Sequence, residues 1–155
     1  MPDTVLIVRK TLALPVTPET AFRLFTAEIG AWWPVGSHSL SAAEGRLPLE
    51  IWMEKRQGGR IRERRHDGSV VDWATLTTWF PHERLELDWY VGRARADATS
   101  ITLDFAADSP KATRLLLTHG GFERLGTAGE AAAANYDEGW DLVLGERFLQ
   151  ACEGD

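Results

Sequence analysis

The stretch GGRIRERRHDGSVVDWATLTTWFPHERLELDW, residues 58–89, decides the fold. Gly58-Gly59 breaks the run before it, Asp67-Gly68 is a dipeptide that closes tight hairpins, and Pro81 ends the run after it. Between these breaks the side chains alternate with the period of two that a pleated strand imposes. The stretch therefore reads as strand, turn, strand, turn, strand over residues 60–66, 69–80 and 85–91. Connections this short join antiparallel neighbours. One residue disturbs the pattern. Glu63 falls in phase with Ile61, on the face that should be buried. A carboxylate there must be paired, solvated or protonated, because burying it alone is costly.

The same rhythm extends in both directions. Upstream, Leu49, Ile51 and Met53 alternate with Glu50, Trp52 and Glu54. Downstream, Ile101, Leu103 and Phe105 form one apolar face, Asp108-Ser109-Pro110 turns the chain, and Leu115, Leu117 and His119 are in phase on a last strand over residues 113–119. Near the N-terminus, residues 4–14 read as a first strand with Leu6, Val8, Leu12 and Leu14 on one side. Thr17-Pro18-Glu19 has the composition of a helix start: a capping hydroxyl, a proline at the first position and an acid in the first turn. A second short helical stretch, residues 27–33, stops at Pro34, and residues 35–46 form a loop that carries His38. Residues 130–152 have helical periodicity, with Tyr136, Trp140, Val143, Leu144, Phe148 and Ala151 on one face. Gly139 and Gly145 inside that helix cost about 1 kcal/mol each relative to Ala, so close packing or room for a ligand is expected to compensate.

These elements define one α+β domain over residues 1–155, with a curved antiparallel sheet and one long helix to cover it. A net charge of −6 excludes the basic surface that nucleic acid requires, and it also disfavours an acidic membrane. No apolar run approaches a membrane span, and no signal peptide is read at MPDTVLIVRK. The single cysteine, Cys152, allows no internal disulfide, and a cytoplasmic location is expected. As a residue at the surface or in helix packing, it is a poor nucleophile candidate.

The ordered set of motifs resembles the START-like (Bet v 1-like) superfamily, and within it the Hsp90-ATPase-activator-homologue family of small bacterial proteins. The resemblance rests on Thr17-Pro18-Glu19 with Phe22 and Phe25, Trp32-Trp33-Pro34, Gly58-Gly59-Arg60, Asp67-Gly68 and Pro81 with Arg84-Leu85. It continues through Thr113-Arg114-Leu115, Thr118-His119-Gly120-Gly121-Phe122 and Gly139-Trp140. It runs almost end to end, though no single motif is diagnostic. It implies a helix-grip fold, with an incomplete barrel around the C-terminal helix and an internal cavity for a hydrophobic ligand. It transfers no catalytic residues. Hsp90 binding is not expected, because regulation by the eukaryotic activator also depends on a separate N-terminal domain.

Seven tryptophans are many for this length. Either they form a Trp-rich core or some of them line the cavity. The candidate cavity residues are Trp32, Trp33, His38, Glu63, Trp73, Trp89, His119, Tyr136 and Trp140. Glu63 and His119 are expected to orient the polar end of a ligand. Three alternatives stand beside this. Glu63 pairs with Arg62, Arg64 or Arg65 at a strand edge, a bulge turns it outward, or His119 is a hydrogen-bonded core residue. His38 is a lid contact or an ordinary loop histidine. No metal site is expected, because the histidines are scattered singly. No nucleophile elbow is present, and Gly58-Gly59-Arg60 precedes a strand where a phosphate cradle would open a helix. No cofactor is implied.

Binding of a small, largely apolar or aromatic molecule is the first functional expectation. An enzyme acting in the same cavity (a cyclase, dehydratase or hydrolase) is the second, and a protein-interaction or chaperone-associated module is the third. Self-association into a homodimer stays open.

Overall fold

A computed structural model describes residues 6–155. Seven strands form one antiparallel sheet: β1 (Val8–Leu14), β2 (Glu50–Met53), β3 (Arg60–Arg64), β4 (Val70–Phe80), β5 (Arg84–Trp89), β6 (Thr99–Ser109) and β7 (Ala112–Gly120). Their order is β1-β7-β6-β5-β4-β3-β2, a six-strand meander closed at one end by the first strand. Two short helices, α1 (Pro18–Thr26) and α2 (Ile29–Trp32), follow β1. The chain ends in α3 (Gly129–Leu142), a π-helical turn (Val143–Phe148) and α4 (Leu149–Glu153), which form one continuous helix. The curled half-barrel sheet with its long C-terminal helix is the helix-grip arrangement expected from the sequence.

Local chemistry explains the framework. Thr17 caps α1, its Oγ1 accepting from the Thr20 N–H at 3.3 Å, with Pro18 at the first position. Phe22 and Phe25 then face the sheet, edge-on to Phe105. At the other side Lys10 of β1 reaches Asp137 and Asp141 of α3, at 2.9 Å each. Those acids lie one helical turn apart, so one ammonium bridges both and ties the helix to the sheet edge. Gly30 lets α2 lie against β2, since a Cβ there would sit 2.5 Å from the Ile51 carbonyl oxygen. Phe148, Val143, Leu144, Trp140 and Cys152 all face the core. Burial raises the Cys152 thiol to about 12, which makes it a packing residue and no nucleophile.

Three details differ from the sequence expectation. Leu49, expected in phase with Ile51 and Met53, precedes β2 and is 63% exposed, although its N–H still bonds the Arg64 carbonyl. The first strand begins at Val8, and the start proposed for it at residue 4 lies outside the described residues. The C-terminal helix widens into the π turn at Val143–Phe148, which lets Val143, Leu144 and Phe148 all reach the core. Gly145 sits in that turn with nothing near it, so packing does not require it. Among the described residues, no helix is long and apolar enough to cross a membrane.

Candidate functional site

The site is assembled by a β-bulge. Between β3 and β4 the register passes from Ile61↔Ala74 to Arg62↔Asp72, leaving Trp73 as the extra residue. Trp73 and Ala74 are consequently both buried. The Trp73 indole joins Trp33, Trp89 and Trp140 in one cluster. Ring centroids lie 5.3 Å apart for Trp33 and Trp73, 6.0 Å for Trp33 and Trp89, and 5.8 Å for Trp89 and Trp140. These three pairs are tilted, while Trp33–Trp140 and Trp73–Trp89 meet edge-on, a favourable geometry for aromatic rings. A half-open cleft of about 220 Å³ adjoins the cluster, with a smaller lobe of about 40 Å³ beside it. Trp33, His38, Trp89 and Tyr136 line both spaces. Trp73, Val91, Ser37 and Ser39 complete the larger space, and Gly139, Trp140 and Val143 the smaller. A broader depression of about 340 Å³ near Phe80 is a poorer candidate, because its Arg84 and Asp104 are paired to each other.

Every indole N–H in the cluster is already spent within the protein. Trp33 donates to the His38 carbonyl at 2.7 Å and Trp73 to Glu63 Oε1 at 3.0 Å. Trp89 donates to Tyr136 Oη at 3.0 Å and Trp140 to His119 Nδ1 at 3.1 Å. The walls therefore offer aromatic surface without donors. Two polar side chains remain. Tyr136 Oη accepts from Trp89, so its own proton is left for another partner. Burial raises the phenol above its usual pKa, against smaller opposing effects of the Trp89 bond and Arg93, so the proton is retained. His38 Nδ1 lies 2.7 Å from Ser37 Oγ, while its Nε2 lies nearest the helix at Gly139. Burial lowers the His38 pKa, which favours the neutral ring at pH 7.

Glu63 faces inward as its phase predicts and is 0% exposed. The ligand-orienting role expected for it is corrected by its surroundings, because all four acceptor positions of the carboxylate are taken. Oε1 accepts from the Leu40 N–H (2.8 Å) and the Trp73 indole; Oε2 accepts from the Ser41 N–H (2.8 Å) and the Ser41 hydroxyl (2.7 Å). No arginine contributes: Arg62 bonds Asp72, Arg65 bonds Glu44, and Arg64 lies toward Glu50. Nor does the bulge turn Glu63 outward, because it falls on β4 and delivers Trp73 to the carboxylate. Glu63 is thus a clasp that holds the loop carrying His38 onto the sheet. Ser41, fully buried, extends the clasp by accepting from the His66 N–H at 3.1 Å.

His119 is likewise 0% exposed and absent from the cleft wall. Its Nδ1 accepts from Trp140, which requires the proton on Nε2. Nε2–H then donates to Thr99 Oγ1 at 2.7 Å, and Thr99 donates onward to the Trp89 carbonyl at 3.3 Å. Desolvation lowers its pKa to about 3. The expected ligand contact from His119 is corrected to that of a neutral core histidine holding two cleft tryptophans. Trp32 lies outside this cleft. Its indole bonds the Leu24 carbonyl at 2.8 Å and its ring packs on Phe25 and Phe148. It borders instead a separate open space of about 280 Å³ with Trp33, Arg147 and Gln150. Of the sequence candidates, Trp33, His38, Trp73, Trp89, Tyr136 and Trp140 are brought together. Val91, Ser37, Ser39, Gly139 and Val143 were not singled out as cavity residues. The glycine carried a signal, an unexplained cost inside a helix. Among the described residues, no three His, Cys, Asp or Glu side chains converge to hold a metal ion.

Residues 15–153 match the family described as Activator of Hsp90 ATPase homolog 1-like protein. No curated protein matches the chain. Among solved structures, the chain is similar to Txn09, an anthrahydroquino-gamma-pyrone synthase solved as a complex. The identity is 26% and the TM-score 0.65, over 97% of this chain and 99% of that one. It is also similar to CalC, a self-sacrificing resistance protein from Micromonospora echinospora, at 24% identity and TM-score 0.68 over 96% and 94% of the two chains. A third similar fold is PFC0360w, an Hsp90 activator from Plasmodium falciparum, at 19% identity and TM-score 0.50 over 90% and 96%.

Proposed function

Because the chain belongs to the family of Activator of Hsp90 ATPase homolog 1-like proteins, within the START-like, Bet v 1-like fold, we propose that it binds a small, largely apolar, aromatic molecule in the cleft walled by Trp33, Trp73, Trp89 and Trp140. The observation that carries this reading is the pairing of indole faces, whose N–H groups are internally satisfied, with two unspent polar groups. That is the usual chemistry of a small-molecule site: mostly apolar walls and a few placed polar atoms. The size fits a modest ligand, since an apolar space of about 150 Å³ takes a benzene-sized ring. Gly139 supports the same reading. A Cβ there would meet His38 Nε2 at an ordinary 3.7 Å, so alanine would fit, yet the helix carries glycine at about 1 kcal/mol cost and the space stays open.

The test is thermal denaturation against a library of one- and two-ring aromatics. A true ligand at a hundred times its dissociation constant stabilises the fold by about 3 kcal/mol. Gly139→Leu should stay folded and lose the shift, because its side chain fills the small lobe, and Gly139→Ala, which fits without strain, should fold at least as well as the parent. A broad library without any shift in the parent protein would sink the binding reading.

A second reading is an enzyme in the same cleft, favoured by the neutral His38 ring and by the likeness to a synthase at 26% identity. His38 would take a proton from carbon beside a ligand carbonyl while Tyr136 O–H stabilises the oxygen. In deuterated water, the parent protein should then speed hydrogen exchange at the methyl group of an aryl methyl ketone, and His38→Leu should not. Exchange at the buffer rate, with the ketone demonstrably bound, rejects catalysis.

A further inference from the structure

The hydrogen-bond polarity of the cleft narrows the class of ligand, on the premise that the cleft is a binding site. Tyr136 Oη receives the Trp89 N–H at 3.0 Å. Indole nitrogen is a donor only, so the phenol proton cannot serve that bond and is available to the cleft. Tyr136 therefore presents a donor. His38 is read from Ser37. The Ser37 hydroxyl lies within hydrogen-bond reach of the Pro34 carbonyl, at 3.4 Å, and of His38 Nδ1, at 2.7 Å. With the hydroxyl proton directed to Pro34, the oxygen accepts Nδ1–H and both contacts are satisfied. The opposite tautomer would aim an unpaired N–H into an aromatic space, a costlier state than an unfilled acceptor. The Pro34 carbonyl does not depend on the hydroxyl, because it already accepts the Ser37 and His38 backbone N–H groups at 3.1 and 2.8 Å. His38 Nε2 therefore presents an acceptor. Ser39 adds neither group, because its hydroxyl donates to the Val35 carbonyl at 2.7 Å and accepts from the Ala42 N–H at 3.0 Å.

We propose that the cleft selects aromatic molecules carrying both a hydroxyl and a carbonyl, the hydroxyl donating to His38 Nε2 and the carbonyl accepting from Tyr136 O–H. An aromatic bearing neither group leaves both protein groups unpaired on binding. An aromatic bearing one leaves the other unpaired. A site built around specific polar partners rejects analogues lacking them more strongly than an apolar pocket rejects a change of size.

Probes of four kinds at pH 7 test this: toluene, phenol, acetophenone and the three ring isomers of hydroxyacetophenone. Binding is followed through the tryptophan indole N–H signals in NMR titrations. The tightest hydroxyacetophenone isomer should bind at least tenfold more tightly than toluene. Tyr136→Phe should weaken acetophenone and hydroxyacetophenone about fivefold and leave phenol unchanged. His38→Leu should weaken phenol and hydroxyacetophenone by a similar factor and leave acetophenone unchanged. Equal binding of all four kinds, or a reversed pattern in the two variants, overturns the selectivity while leaving ligand binding intact. Uniform weakening of all probes by both variants also overturns it, because that is loss of shape and not of hydrogen-bond type. Failure of every probe to bind rejects the selectivity together with the binding reading beneath it.

Discussion

Glu63→Gln is expected to destabilise the fold by about 2–4 kcal/mol, a fall of about 5–15 °C in melting temperature for a domain of this size. The carboxylate receives four donors, two of them backbone N–H groups of the loop and one the Trp73 indole. A carboxamide accepts only through its oxygen and turns two hydrogens of its own toward the remaining donors. Rotation of the Ser41 hydroxyl relieves one conflict, but a backbone N–H stays buried without an acceptor. Glu63→Ala should cost more, because all four donors are stranded. Differential scanning calorimetry gives the magnitude, and proteolysis within residues 35–46 shows whether the loop is released. A Glu63→Gln variant within 0.5 kcal/mol of the parent would contradict the clasp and return Glu63 to the status of a solvated strand acid.

His119 should make stability strongly dependent on pH on the acid side. Its folded pKa is lowered to about 3 by burial, whereas an unfolded histidine titrates near 6.5. Between those values the unfolded chain binds a proton that the folded chain refuses, so stability falls as pH falls. The contribution is fully present above about pH 6.5 and has dropped by about 3 kcal/mol at pH 4.5, at 1.36 kcal/mol per pH unit. Protonation would also place a hydrogen on Nδ1 against the Trp140 N–H, which breaks the bond that orients one cleft wall. His119→Gln can retain both partners, its oxygen accepting from Trp140 and its amide donating to Thr99, without titrating. Urea denaturation from pH 7 to 4.5 should show the parent losing about 3 kcal/mol more than this variant. Parallel curves for the two proteins would mean that His119 is hydrated or already charged in the fold.

Most of the architecture was legible because it follows from local rules. The alternation in residues 58–89, the Asp67-Gly68 turn and the Thr17-Pro18 cap each constrain only a few neighbours, and the structure has β3, β4, β5 and α1 where they point. The same alternation correctly turned Glu63 and His119 inward. It was silent about what they meet there. The partners of Glu63 are Leu40, Ser41 and Trp73, and those of His119 are Thr99 and Trp140, all at least ten residues distant. Periodicity gives a direction and carries no information about what occupies the space in that direction. The bulge at Trp73 adds one residue to β4 and shifts the phase, so strict alternation could not place Trp73 and Ala74 together inside.

The sequence by itself determined an α+β pattern of seven antiparallel strands with a covering helix, and a surplus of tryptophan to be accommodated. Hydrophobic period and turn chemistry act over a few residues, and these suffice for that much. Only the tertiary structure decided which polar groups are spent and which are free. Glu63 and His119, the most conspicuous candidates along the chain, are saturated by donors and acceptors from distant segments. His38 and Tyr136, given no orienting role by the sequence although both were cavity candidates, keep hydrogen-bonding capacity at the cleft. A polar group becomes available for function through what its neighbours leave unsatisfied, and those neighbours are assembled only when the chain closes on itself.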